Sequence, residues 1–134
     1  MPNGFHGSEA HWERIESPLR ALDVGLESFS ERSGIPLSRN DRNWPDRSLA
    51  WGDPIRRLIQ IYLADEERLT YNFWLCAWED RGGKRYSKRQ LLKEKVPASE
   101  IAAELDDLLA SGRTLLESWN SDALEFATTL SPMR

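Results

Sequence analysis

The chain has 134 residues, of which 40% are hydrophobic and 30% are charged, and its formal net charge is −4. This length predicts a single domain over residues 1–134, and this composition excludes an intrinsically disordered chain. No apolar run approaches the roughly 20 residues that a membrane-spanning helix needs, and no signal peptide is visible. Cys76 is the only cysteine. An internal disulfide is therefore impossible, and the sequence predicts a cytoplasmic protein.

The charge is distributed unevenly along the chain. Residues 1–38 carry a net charge of −3, residues 39–95 carry +4, and residues 96–134 carry −5. The middle part is the predicted sheet, so the pattern indicates a basic sheet between acidic helices. Such an asymmetry can steer an acidic partner towards the sheet. Attraction within the fold, or chance, explains it equally well.

The first regular element is predicted to be a helix after a flexible segment 1–11. Its apolar residues recur at steps of three and four, which is typical of one helix face: Trp12, Ile15, Leu19, Leu22, Leu26 and Phe29. Pro18 fits best at the first helical position with Ser17 as N-cap, so the helix is predicted to begin there, with a separate turn or a kink before it. Gly34 is predicted to end the helix.

The next stretch leads into the sheet. Residues 35–47 show no period and predict a long loop, and loops of this length are often functional. Residues 48–51 predict a short strand, residues 52–54 a turn, and residues 55–63 a second strand.

The strand over residues 69–80 alternates with a period of two. The predicted core face consists of Leu69, Tyr71, Phe73, Leu75 and Ala77. The other face consists of Thr70, Asn72, Trp74, Cys76 and Trp78. If Leu63 faces Leu69 across the hairpin, Ile61 pairs with Tyr71 and both apolar faces coincide.

Gly82-Gly83 predicts the next turn, because glycine takes positive φ at both central positions. A two-residue turn pairs Asp80 with Arg85 and places Arg85 and Arg89 on the tryptophan face. A four-residue loop gives the same faces, whereas a three-residue loop reverses them.

A final helix is predicted from Pro97 or Ser99, either continuing to Thr129 or restarting after Asn120-Ser121. The fold class is therefore α+β: a two-layer sandwich in which a four-stranded antiparallel meander carries the N- and C-terminal helices on one face, in the order α-β-β-β-β-α.

The uncovered sheet face is the candidate site, because arginines and aromatic residues concentrate at binding hot spots. Its predicted binding residues are Arg56, Tyr62, Trp74, Trp78, Arg85 and Arg89. They predict a small non-enzymatic protein-binding module, such as an inhibitor, an immunity protein or a chaperone-like protein, whose partner is another protein or a second copy in a homodimer. Cover of the face by the N-terminal turn or by loop 35–47 is the competing interpretation.

Two further functions stay open. The basic run 81–95 with Tyr86 inside it, next to the aromatic face, could bind single-stranded nucleic acid, although lysines on an edge strand also prevent aggregation. A pocket near loop 35–47, where Trp44, Arg47 and Trp51 could converge, could serve a ligand-binding protein or an enzyme.

Catalysis has little support in the sequence. Cys76 lies in mid-strand without a cue for activation, and His6 and His11 lie near the N-terminus. No metal-ligand spacing and no phosphate-binding loop is present, so we expect no catalytic residue, no metal and no cofactor.

Overall fold

The computed structural model describes residues 9–41, 45–65 and 67–126. Over these residues the chain forms two α-helices, α1 (Glu9–Ser33) and α2 (Ile101–Ser118). It also forms six strands: β1 (Leu37–Asn40), β2 (Asp46–Trp51), β3 (Arg56–Asp65), β4 (Thr70–Arg81), β5 (Lys84–Pro97) and β6 (Glu125–Phe126). The strands build one antiparallel sheet in chain order. Neither helix is long and apolar enough, over the described residues, to cross a membrane.

The α+β class and the open antiparallel sheet are confirmed, but the predicted count of four strands is wrong. Half of the predicted loop 35–47 lies in the sheet, because β1 pairs with β2, which begins at Asp46. β1 has the sequence Leu-Ser-Arg-Asn and only half-buried or exposed side chains. An edge strand of this kind is held by main-chain pairing, so it shows no hydrophobic alternation.

The helix boundaries differ from the prediction at two places. α1 runs through Pro18 without interruption, and residues 9–11 of the predicted flexible segment belong to it. A proline inside a helix removes one backbone hydrogen bond. The buried stripe that follows it, Leu19, Leu22, Leu26 and Phe29, packs into the core. Gly34 ends α1 as predicted, with φ of 77° and its N–H donated to the Ser30 carbonyl at 2.9 Å.

α2 ends at Ser118, so of the two predicted alternatives the uninterrupted helix to Thr129 is wrong. The side chain of Asn120 accepts the N–H of Asp122 and caps a short 3-10 turn over Ser121–Ala123. Asparagine competes with the helix in this way, because its side chain offers the backbone a local partner. The chain then returns to the sheet, where β6 pairs with Tyr86 and Ser87 of β5.

The strand register fixes which side of the sheet meets the helices. β3 pairs with β4 as Leu63–Tyr71, Ile61–Phe73 and Ile59–Leu75, which is two residues away from the predicted register. A shift of two keeps every side chain on its predicted face, since the side-chain period of a strand is two. The Gly82-Gly83 turn is confirmed, because Asp80 pairs with Arg85 and Trp78 with Ser87.

Both helices pack on the side of Ile59, Phe73 and Leu75, where one buried cluster joins them to the sheet. Gly112 allows the close approach of α2. A Cβ at this position would lie 3.1 Å from Leu75 and 3.3 Å from Leu92. The opposite side of the sheet is not packed against either helix, and it is the surface that the sequence singled out.

Candidate binding face

We call the side of the sheet that faces away from the helices the open face. Cross-strand pairing places Trp78 beside Arg56 and Trp74 beside Gln60. Tyr62 lies opposite Asn72 on the same side. From the other flank, β5 sets Arg89 opposite Cys76 and Arg85 opposite Asp80. The structure therefore brings all six predicted binding residues to one face.

The centre of the open face is a stack of three side chains. The guanidinium carbon of Arg89 lies 4.0 Å from the centre of the Trp74 ring. The Nε1–H of Trp74 donates to the Tyr62 hydroxyl at 2.9 Å. Trp74 is half-buried but Arg89 is exposed, and cation–π contacts at exposed sites are worth about 0.5–1 kcal/mol.

A second group lies at the end of the face near the β4–β5 turn. The Arg85 guanidinium carbon lies 5.6 Å from the Trp78 ring centre, and its Nε donates to Asp80 at 3.0 Å. That arginine holds the pKa of the Asp80 carboxyl below its ordinary value. Arg56 is exposed and donates to the Gly52 carbonyl at 3.0 Å. The charges of this end are therefore directed outwards, towards solvent.

Three buried residues lie beneath these groups: Leu58, Gln60 and Cys76. The Oε1 atom of Gln60 has no hydrogen-bond partner within the described part of the chain. Burial raises the pKa of the Cys76 thiol, although Arg89 opposes that shift. A buried thiol with a raised pKa is a poor nucleophile.

The described residues bear on both covers considered for this face. β1 and β2 lie in the plane of the sheet, so the described part of residues 35–47 does not fold across the open face. Residues 42–44, 1–8 and 127–134 lie outside the described residues. The turn predicted before Pro18 is not formed, because residues 9–17 belong to α1, so cover of the face by that turn is wrong.

The basic run 81–95 is not one patch. Its members divide between the two sides of β5. On the helix side, Arg81 lies 4.1 Å from the Tyr86 ring and Lys88 lies 5.1 Å from the Trp119 ring. Lys93 forms an ion pair with Glu104 of α2. The aromatic residues near this run indicate these cation–π contacts only when the face of the sheet on which each residue lies is known.

The pocket that the sequence placed near loop 35–47 corresponds to a cleft of about 270 Å³ between α1 and the β1–β2 hairpin. Arg47 lies in it with a side chain only 3% exposed. Its Nε donates to Asp23 at 2.6 Å and its Nη1 to Asp41 at 2.8 Å. Trp51 is not part of this lining, and Trp44 lies outside the described residues.

Sequence reasoning missed the Arg47 network. Burial lowers the pKa of Arg47, but hydrogen bonds and charges from Asp23 and Asp41 outweigh it and leave the pKa raised. The partners lie on separate elements, since Asp23 is 24 residues away from Arg47. A local pattern could not have revealed the pairing. All three guanidinium nitrogens of Arg47 donate to protein oxygens, and in this way Arg47 ties α1 to the hairpin.

Within the described ranges, no group of three or more histidine, cysteine, aspartate or glutamate side chains could hold a metal ion. His6 and the side chain of His11 fall outside what the structure describes. No family model, no curated protein and no solved structure matches this chain.

Proposed function

We propose that this protein is a non-catalytic binding module that docks a protein partner on its open face. The observation that carries this function is the Arg89–Trp74–Tyr62 stack on a sheet side that neither helix covers. Stacked and hydrogen-bonded side chains lose little conformational freedom when a partner arrives. Arginine, tryptophan and tyrosine are also the residues that most often dominate binding energy.

The partner is either a different protein or a second copy of this chain. The open face carries three arginines, Arg56, Arg85 and Arg89, and Arg85 forms an ion pair with Asp80. Two copies docked face to face would bring these cations together, which is unfavourable unless each stacks on an indole of the other copy. Charge therefore favours an acidic surface on a different protein, and the homodimer stays a prediction that sedimentation tests.

Photo-crosslinking gives the most direct test of the face. A photoreactive phenylalanine replaces Trp78 on the open face, and in a matched control it replaces Val24. Val24 is a large apolar residue on α1 that is 64% exposed. Irradiation in the source cell, followed by mass analysis, identifies what lies against each position.

We expect one discrete protein adduct at position 78 and none at position 24. Equal crosslinking at both positions would refute a specific face. An adduct of twice the chain mass would identify the homodimer, and Trp78→Glu should then give a folded monomer in sedimentation. An adduct with RNA would instead support the single-stranded nucleic-acid alternative, which the two arginine–tryptophan contacts permit.

A further inference from the structure

A cavity of about 330 Å³ lies at the end of the β3–β4 hairpin. Ala64, Thr70 and Asn72 line it together with Asp65, Arg68 and Lys95. Thr70 and Asn72 flank the fully buried Tyr71, so their side chains lie on the opposite side of the sheet, the open face. Because Asn72 pairs with Tyr62, the cavity continues directly from the aromatic stack.

Backbone irregularity is concentrated around this cavity. Over the described residues, positive φ at residues other than glycine occurs at Leu69 and Lys95, with values of 54° and 56°. Lys95 itself lines the cavity, and its N–H donates to the Asn72 side chain at 2.9 Å. Residues other than glycine adopt this backbone region at a cost in free energy, and they cluster at active sites and ligand-binding positions.

The strand pairing is also irregular at this end of the sheet. The β3–β4 register shifts between Leu63 and Asp65, and the β4–β5 register shifts twice between Tyr71 and Trp74. Bulges of this kind re-aim side chains and are over-represented beside binding sites. Here they lie at the end of the sheet that holds the cavity, while the pairing from Trp74 to Arg81 stays regular.

The chemistry of the lining defines what fits. Among the lining residues, Ala64 and Thr70 carry methyl groups, and Arg68 and Lys95 carry alkyl chains that end in a cation. The Asp65 carboxylate is directed back into its own turn, where it accepts the N–H groups of Glu67 and Arg68 at 2.9 and 3.0 Å. The same carboxylate also lies 3.9 Å from Arg68 Nε, so it offsets one of the two cations of the lining, Arg68 and Lys95, and leaves the lining with one excess positive charge.

We propose that this cavity is the anchor pocket for an apolar side chain, adjacent to a carboxylate, on an acidic segment of the protein partner. This role rests on the proposed function of the open face. A strand advances about 3.3 Å per residue, so the cavity at Thr70 and the far end of the face at Trp78 are roughly 26 Å apart. An extended segment of about eight residues would place its apolar residue in the cavity and its carboxylates over Arg89 and Arg85.

Small probes test the pocket without the partner. The probe is N-acetyl-L-leucine, titrated into the ¹⁵N-labelled full chain and followed by NMR. A ligand of this size is expected to bind with a Kd of a few millimolar at best. We expect saturable shifts at Ala64, Thr70, Asn72 and Lys95, several-fold weaker binding of N-acetyl-L-leucine amide, and no binding of N-acetylglycine.

Two variants with a matched control identify the groups responsible. Ala64→Trp fills the cavity and should abolish the shifts. Arg68→Glu should remove the advantage of the carboxylate probe over the amide, and it leaves the fold intact because the Arg68 side chain is 83% exposed. Arg20→Glu makes the same change of charge on α1, where the arginine is 72% exposed, and should leave binding unchanged.

Absence of shifts with N-acetyl-L-leucine, or equal shifts with N-acetylglycine, would overturn the pocket even if crosslinking at position 78 succeeds. Equal affinity for the acid and the amide would overturn its preference for a carboxylate. Leucine-specific shifts without a crosslink at position 78 would retain the pocket and refute docking across the face. The two failures are therefore distinguishable.

Discussion

Removal of Arg47 should destabilise the fold far more than removal of a surface arginine. Arg47 occupies a core-facing position of β2 opposite Ile61, and its guanidinium bonds Asp23 through two pairs of atoms, at 2.6 and 3.2 Å. Removing one partner of a buried ion pair typically costs 3–5 kcal/mol, because the other charge stays buried without compensation. Asp23 is 15% exposed, and Arg39 lies 3.7 Å from it. These features reduce the penalty, and we expect Arg47→Met to lower the free energy of unfolding by about 3 kcal/mol.

A double-mutant cycle separates the charge from the packing. Asp23→Leu combined with Arg47→Met replaces the pair by apolar side chains of similar size, an exchange that is often neutral. We expect the double variant to lie within about 1 kcal/mol of the wild type, so that the coupling between the two sites is large. Urea denaturation followed by circular dichroism measures all four proteins on one scale.

Two results would refute this reasoning. A loss below about 1 kcal/mol for Arg47→Met would mean that the network is solvated and contributes like an exposed ion pair. A double variant that loses as much as the two single variants together would mean that the residues act independently. Either result would also mean that Arg47 does not hold α1 and the β1–β2 hairpin together.

Three further outcomes are expected. Phe73→Ala should cost about 3–5 kcal/mol in a urea melt, because the side chain is fully buried between sheet and helices. Hydrogen bonds from Arg81 and Ser121 lower the pKa of Glu79 from 4.5. The ionised Glu79 therefore stabilises the fold above pH 4.5, and this contribution is lost as the pH falls below that value. Glu79→Gln should make the free energy of unfolding depend less on pH in the acid range. Cys76 should resist a thiol reagent at neutral pH, and Arg89→Ala should raise its labelling rate by opening the layer above it.

Each of these outcomes has a control. Val24→Ala on the exposed side of α1 should barely change stability, and a comparable loss there would show that burial does not explain Phe73. Glu31→Gln on the exposed surface of α1 should leave the shape of the acid profile unchanged. Rapid labelling of Cys76 in the wild type, at the rate of a small thiol, would contradict a layer packed over it.

The sequence by itself determined the class of the fold and the identity of the open face. Period-two alternation from Tyr71 to Trp78 assigns each side chain to one side of the sheet, and neither strand count nor exact register alters that assignment as long as shifts are even. Gly34 and Gly82-Gly83 determined a helix end and a hairpin turn, because few other residues accept the backbone angles these positions require. Such patterns depend only on residues that are close in the sequence, so they can be interpreted without knowledge of the fold.

Only the tertiary structure decided the features that join distant segments. β1 and β6 are strands because a neighbouring edge offers hydrogen bonds, and four-residue and two-residue segments carry no periodicity of their own. Arg47 and Asp23 are 24 positions apart, and Lys95 lies 25 positions from Thr70, with which it lines the cavity. Their contacts depend on where bulges and helices place the chain, which the order of residues along a single strand or helix does not specify.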